Sequence, residues 1–142
     1  LNKTMTKLNG KRKKKVEVCC CILIYENKIL ILKRNHMGPR NGLWEFPGGK
    51  IENETPIDCT KRELKEEINI EIDNIKYLCK VKKEYEDIFI SLTSFISFLD
   101  STFTPSLKVH SEFKWIASSE LHKFSFPKAN REIIDILIKS GY

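Results

Sequence analysis

Residues 55–69, TPIDCTKRELKEEIN, admit one local structure. Thr55 suits a helix N-cap, because its hydroxyl can accept a hydrogen bond from a backbone N–H of the first turn. Pro56 fits the first helical position, where an N–H is not needed. Asp58 places negative charge at the positive end of the helix dipole. Asn69 tolerates the left-handed conformation that ends a helix better than most residues do. A helix over residues 55–68 is thereby fixed, and the flanking segments must supply what it packs against.

Those segments read mostly as strands. Residues 16–25 are rich in β-branched and apolar side chains, residues 26–28 (ENK) form a turn, and residues 29–33 return as the second strand of a hairpin. Residues 34–42, with Gly38, Pro39 and Gly42, read as a loop. In LWEFPGG, residues 43–49, Trp44 and Phe46 alternate with Glu45. Residues 70–83 and 88–99, broken near Asp73-Asn74 and Glu86-Asp87, and residues 112–117 are further predicted strands. Ile133, Ile134, Leu137 and Ile138 have helical spacing within 128–140, and Gly141 follows where a helix-ending glycine belongs. Strands around two helices predict a mixed α/β domain. A chain of 142 residues suits one such domain.

Charge is placed unevenly. Residues 1–15 hold seven of the 25 basic residues and no acid, leaving 18 basic against 19 acidic residues in the remainder. The formal charge of +6 therefore describes residues 1–15, with their KRKKK run, and not the body. The sequence predicts a solvated, disordered tail over 1–15 and a folded domain over 16–142. Such a tail can hold phosphates of a nucleic acid, the one route by which nucleic acid enters as a partner. The apolar run at residues 18–25 is too short to span a bilayer. No signal peptide is visible, so a cytoplasmic location is expected.

Five cysteines, Cys19, Cys20, Cys21, Cys59 and Cys79, show no CxxC pair and no zinc spacing. Three consecutive cysteines on a strand alternate faces and cannot readily share one metal. They are expected to be buried free thiols of a reducing compartment.

The helix carries the chemistry. Glu63 lies three residues from Glu66 and four from Glu67, so all three carboxylates leave from nearly one face. Like charges at that spacing repel by a few tenths of a kcal/mol each. Two readings follow from the residues alone: a solvated acidic face with lysine partners, or a divalent-cation site, since Mg²⁺ takes oxygen ligands from a few carboxylates, water and phosphates.

The surroundings resemble the Nudix box: Gly, five residues, Glu, seven residues, Arg-Glu-apolar, one residue, Glu-Glu, one residue, Gly-apolar. Here Gly49, Glu54, TPIDCTK, Arg62-Glu63-Leu64, Lys65, Glu66-Glu67, Ile68, Asn69 and Ile70 follow that order. Two departures stand out. Four residues, not five, separate Gly49 from Glu54, and Asn69 replaces the last glycine. LWEFPGGKIE at residues 43–52 and FPKAN at 126–130 are similar to the MutT-type branch of the Nudix hydrolases.

The resemblance implies an α/β/α sandwich around a mixed central sheet. It implies Mg²⁺, with Mn²⁺ as a substitute, held by the Gly48 carbonyl, Glu63, Glu66 and Glu67. Glu63 doubles as proton acceptor, and Arg62 holds the loop through Glu54. Arg34, Phe46, Phe126 and Asn130 are the implied substrate-binding residues. The implied reaction is hydrolysis of a small nucleoside triphosphate, 8-oxo-dGTP foremost, to the monophosphate and pyrophosphate, which serves nucleotide-pool sanitation. Asn130 can present a donor and an acceptor to a purine edge, where a carboxylate only accepts; taken alone, it is also a candidate N-cap for a helix over 131–140. The alternatives are a pyrophosphohydrolase of CTP, dCTP or another nucleoside diphosphate derivative, and a non-catalytic nucleotide- or RNA-binding module. Relatives often carry an acid six positions before the residue matching Trp115. That position is Val109 here, with His110 and Glu112 close by in sequence, which leaves the general base open.

Overall fold

The computed structural model describes residues 3–8, 11–35 and 38–142. In chain order the elements are β1 (Lys3–Leu8), β2 (Lys11–Tyr25), β3 (Lys28–Arg34), β4 (Trp44–Glu45), β5 (Gly48–Lys50), α1 (Pro56–Ile68), β6 (Lys76–Glu84), β7 (Ile88–Phe98), β8 (His110–Ala117), a 3-10 helix (Ser118–Lys123) and α2 (Lys128–Lys139). The described strands join one mixed sheet around β2. β2 runs parallel to β7 and antiparallel to β1, β3 and β5. β6 flanks β7, while β3 carries β4 and β8.

Strand alternation divides the core between two helices. Cys21, Leu23, Leu30 and Leu32 meet Leu64 and Ile68 of α1. Cys20, Ile22, Ile24, Ile29 and Ile31 meet Ile133, Ile134 and Leu137 of α2 on the other face. Odd and even residues of β2 therefore serve different helices, as the period of two requires. This is the expected α/β/α sandwich. Each fully buried aliphatic side chain contributes about 1.5–3 kcal/mol of apolar burial. The consecutive cysteines divide the same way, and all five are free thiols, four of them buried.

The helix termini follow the local chemistry. Thr55 Oγ1 accepts from the Asp58 N–H at 3.2 Å. Asn69 adopts φ 57° and ψ 44°, and the Ile70 N–H returns to the Leu64 carbonyl. That bond closes the helix with a left-handed cap. The turn after β2 places Glu26 and Asn27 at positive φ, as a two-residue hairpin with a type I′ turn demands.

Two expectations differ from the structure. The sequence places a disordered tail before residue 16, but β2 begins at Lys11 and β1 pairs with it from Lys3↔Val16 to Leu8↔Lys11. The physical reason is backbone pairing: residues 11–13 pair with β1, and the β6–β7 hairpin adds a second partner beyond them. β7 pairs with β2 from Lys14 onward, and Lys13 Nζ reaches the Glu84 carboxylate at 2.7 Å. Backbone pairing and one ion pair thus extend a strand into a segment that has no apolar face. Residues 70–75, read as strand, are irregular, and β6 starts at Lys76. Ile70, Ile72 and Ile75 pack instead against the core at the foot of α1. No helix among the described residues is long and apolar enough to cross a membrane.

The left-handed cap sets the first expected outcome. Asn69→Ala forces a Cβ-bearing residue without a polar side chain into that conformation and is expected to cost about 1 kcal/mol in urea unfolding. Asn69→Gly is expected to be neutral or slightly stabilising. Equal losses for both variants would show that the cap does not depend on backbone conformation.

Candidate active site

The site is built where α1 meets β5. Gly48 and Gly49 pair with Cys20 and Cys19 of β2. A Cβ on Gly48 would stand 2.0 Å from the Cys19 carbonyl oxygen, so the strand pairing excludes any other residue there. A Cβ on Gly49 would stand 2.1 Å from Glu63 Oε2. The Glu63 carboxylate therefore rests in the space that the missing side chain leaves. The Gly48 N–H donates to Glu67 Oε1 at 3.1 Å. Two adjacent glycines thus bring two helix carboxylates onto the backbone of one short strand.

Arg62 is the counter-charge of the cluster. Its Nε and Nη2 donate to the two Glu54 oxygens at 3.0 and 2.6 Å. Its Nη1 reaches Glu63 at 3.3 Å and Glu66 at 3.0 Å, and Nη2 also donates to the Lys50 carbonyl. The loop after β5 delivers Glu54 to Arg62. Asn53 makes the turn at φ 49°, and the Glu52 N–H donates to Glu54. The paired hydrogen bonds from Arg62 hold the Glu54 carboxyl well below the ordinary range, at about 2.

Glu63 and Glu67 move in the opposite direction. Burial raises both above their ordinary value, and Glu67 is pushed up to about 8. For Glu67 the Gly48 N–H partly offsets burial, while nearby Glu45 and Glu63 add repulsion. As they stand, no three acidic, histidine or cysteine side chains among the described residues are gathered closely enough to hold a metal ion. Arg62 draws Glu63 and Glu66 to itself, and Glu67 faces the Gly48 N–H. The donor set nonetheless suits a hard divalent cation. It offers only oxygens, Gly49 leaves Glu63 room at the backbone, and Glu67 is half-buried, accepting its hydrogen bond from the Gly48 N–H.

Beside the carboxylates lies a cavity of about 550 Å³. Arg34, Phe46, Gly48, Glu67 and Asn130 line it, so five of the implied site residues share one space. Asn130 is the third residue of α2 and 8% exposed; Pro127 is the N-cap, so the capping role considered for Asn130 is not realised. Phe126 does not line the cavity. It is buried and stacks on Phe46 with ring centroids 5.5 Å apart, supporting the wall from behind.

The sequence did not disclose the polar wall. Glu45 Oε1 accepts from Arg34 Nη1 at 2.8 Å, and Glu45 Oε2 lies 2.8 Å from His110 Nε2. Burial opposes the Glu45 charge, but His110 and Arg34 outweigh it and hold the carboxyl below its ordinary range. A bulge between Lys33 and Arg34 brings Arg34 opposite His110, a shift that no sequence period reveals. His110 is thus engaged with Glu45. Glu112 pairs with Lys33 at 3.7 Å and does not line the cavity, whereas Val109 does. The alternation in WEF was the available signal: with Trp44 and Phe46 in the core, Glu45 had to face elsewhere. Across the cavity, the Tyr85 hydroxyl accepts from the Ala129 N–H at 2.9 Å, tying the β6–β7 turn to the helix that carries Asn130.

Comparison with known proteins places this geometry in a family. The NUDIX domain family model matches residues 13–137. An 8-oxo-dGTP diphosphatase of Buchnera aphidicola subsp. Schizaphis graminum is 36% identical over 122 residues, 83% of this chain and 89% of the relative. The CTP pyrophosphohydrolase of Escherichia coli K12 is 36% identical over 80 residues, 56% of this chain and 59% of that protein. The crystal structure of a MutT protein from Methanosarcina mazei Go1 superposes with a TM-score of 0.81 at 19% identity, over 92% of this chain and 98% of that one, a likeness of fold.

The buried carboxylates make stability depend on pH. A folded-state value near 8 for Glu67 means that the native chain keeps a proton that the unfolded chain has lost above about 4.3. Between those values the native state binds more protons, so stability falls as pH rises. Glu63 acts in the same direction, while Glu54 acts only in more acidic solution. With a chelator present, urea unfolding is expected to weaken from pH 5 to pH 8 by on the order of a few kcal/mol. Glu67→Gln should flatten most of that slope; an unchanged slope would place Glu67 in solvent.

Proposed function

The chain belongs to the Nudix hydrolase family, and from that premise we propose that it hydrolyses 8-oxo-dGTP to 8-oxo-dGMP and pyrophosphate. Asn130 carries the reading. It faces the cavity beside Phe46 as an amide, which offers an acceptor and a donor together. Guanine presents two acceptors, N7 and O6, on that edge. Oxidation at C8 puts a proton on N7 and turns the edge into one donor and one acceptor, the complement of an amide. Phe46, stiffened by Phe126, supplies an apolar face for the base.

The triphosphate end lies toward Glu63, Glu66, Glu67 and the Gly48 carbonyl, which would hold the divalent cation. Mg²⁺, with Mn²⁺ able to substitute, supplies a more acidic water and neutralises charge on the phosphoryl oxygens. Glu63, whose carboxyl is raised by burial, takes the proton from the water that attacks the β-phosphorus. Arg62 and Glu54 keep the β5–α1 loop in place. Arg34, oriented by Glu45, presents positive charge to the nucleotide. A pyrimidine triphosphate is the second reading, favoured by the likeness to the E. coli CTP pyrophosphohydrolase.

A nucleotide panel assayed for pyrophosphate release separates the two. The highest kcat/KM is expected for 8-oxo-dGTP, and chelation should abolish it. Glu66→Gln and Glu67→Gln should each lower kcat by on the order of 10²-fold. Asn130→Asp should raise KM for 8-oxo-dGTP about tenfold to a hundredfold, from one lost hydrogen bond, and affect dGTP less. A preference for CTP with KM unmoved by Asn130→Asp would overturn the oxidised-guanine reading.

A further inference from the structure

Cys19 and Cys59 are 40 residues apart in sequence, yet their sulfurs lie 2.7 Å apart. Cys19 lies on β2 opposite Gly49, and Cys59 projects from the first turns of α1 into the same buried cluster with Ile51. A disulfide bond is about 2.04 Å long, so closing it requires a movement of well under 1 Å. The pair is not equally placed. Cys19 lines the cavity, whereas Cys59 is fully buried behind it, its Sγ 3.4 Å from the Lys50 carbonyl. The other thiols lack this arrangement. Cys20 bonds Ser94 at 3.3 Å, and Cys21 is fully buried in the core under α1.

We propose that Cys19 and Cys59 form a peroxide-reactive dithiol at the back of the active site, Cys19 being the sulfur attacked and Cys59 the sulfur that resolves it. The oxidant is a small hydroperoxide entering through the cavity. The Cys19 thiolate takes the terminal oxygen, the O–O bond breaks, and the leaving hydroxide departs as water after gaining a proton. Cys19 is then a sulfenic acid. The Cys59 sulfur attacks the Cys19 sulfur, the S–O bond breaks, and a second water leaves with the Cys59 proton. Two thiols lose two electrons and hydrogen peroxide becomes two waters. The bond links β2 to α1 without using Glu63, Glu66 or Glu67. It also keeps Cys19 from irreversible oxidation at the cavity wall.

The test treats the full-length reduced protein with hydrogen peroxide, quenches it with catalase, and counts thiols after denaturation. Free thiols are expected to fall from five to three. The intact mass should drop by two hydrogens, and one cross-linked peptide pair should contain Cys19 and Cys59. Dithiothreitol should restore all five. Cys79→Ser should form the same bond. Cys59→Ser should instead accumulate Cys19 as sulfenic or sulfinic acid. Five surviving thiols under conditions that oxidise N-acetylcysteine would overturn the proposal. So would a bond to any other cysteine, or one joining two chains. The peptide map of the unmutated protein decides the matter even if Cys59→Ser does not fold.

Discussion

The close approach of the Glu63 carboxylate to the backbone of Gly49 is the contact on which the rest of the site depends. A carboxylate can sit there only because no side chain begins at residue 49. β5 is held flat against β2 by its register, and Gly48 has no room for a side chain beside the Cys19 carbonyl. α1 then stands over β5 with Glu63 and Glu67 inward, and its apolar side closes on the core through Leu64 and Ile68. The repulsive carboxylates and the apolar anchor lie within two turns of one helix. Packing of Leu64 and Ile68 provides what the charges alone would oppose.

Arg62 balances that repulsion. One guanidinium engages Glu54 with two nitrogens and extends the third to Glu63 and Glu66. A lysine could not reproduce this, because its point charge lacks the planar fork. The same arginine depends on Asn53, which turns the chain at positive φ so that Glu54 reaches the fork. On the cavity side, Glu45 plays the complementary part, one carboxylate shared between Arg34 and His110.

Much of this was legible because it is local. Thr55, Pro56 and Asn69 specify their helix through backbone chemistry within a few residues, and alternation along β2 turns Cys20 to the face opposite Cys19 and Cys21. The pattern of glutamates followed from helical spacing. What was not legible is non-local. The basic segment becomes strand by folding back on itself as β1 against β2, with β7 as a second backbone partner from Lys14 onward. The Arg34–Glu45–His110 contacts require three strands and a bulge. Phe126 belongs to the same motif as Asn130, yet its ring lies behind Phe46 while Asn130 reaches the cavity. Cysteines 40 residues apart gave no hint of their contact.

The central claim is that Gly49 makes the room in which Glu63 and its neighbours hold a divalent cation. Titration of the folded protein with Mn²⁺, with the free ion followed by electron paramagnetic resonance, tests it directly. The unaltered chain should bind Mn²⁺ saturably. Gly49→Ala places a Cβ against the Glu63 carboxylate and should weaken that binding by about tenfold or more, with circular dichroism unchanged. Equal Mn²⁺ affinity in the two proteins would contradict the claim.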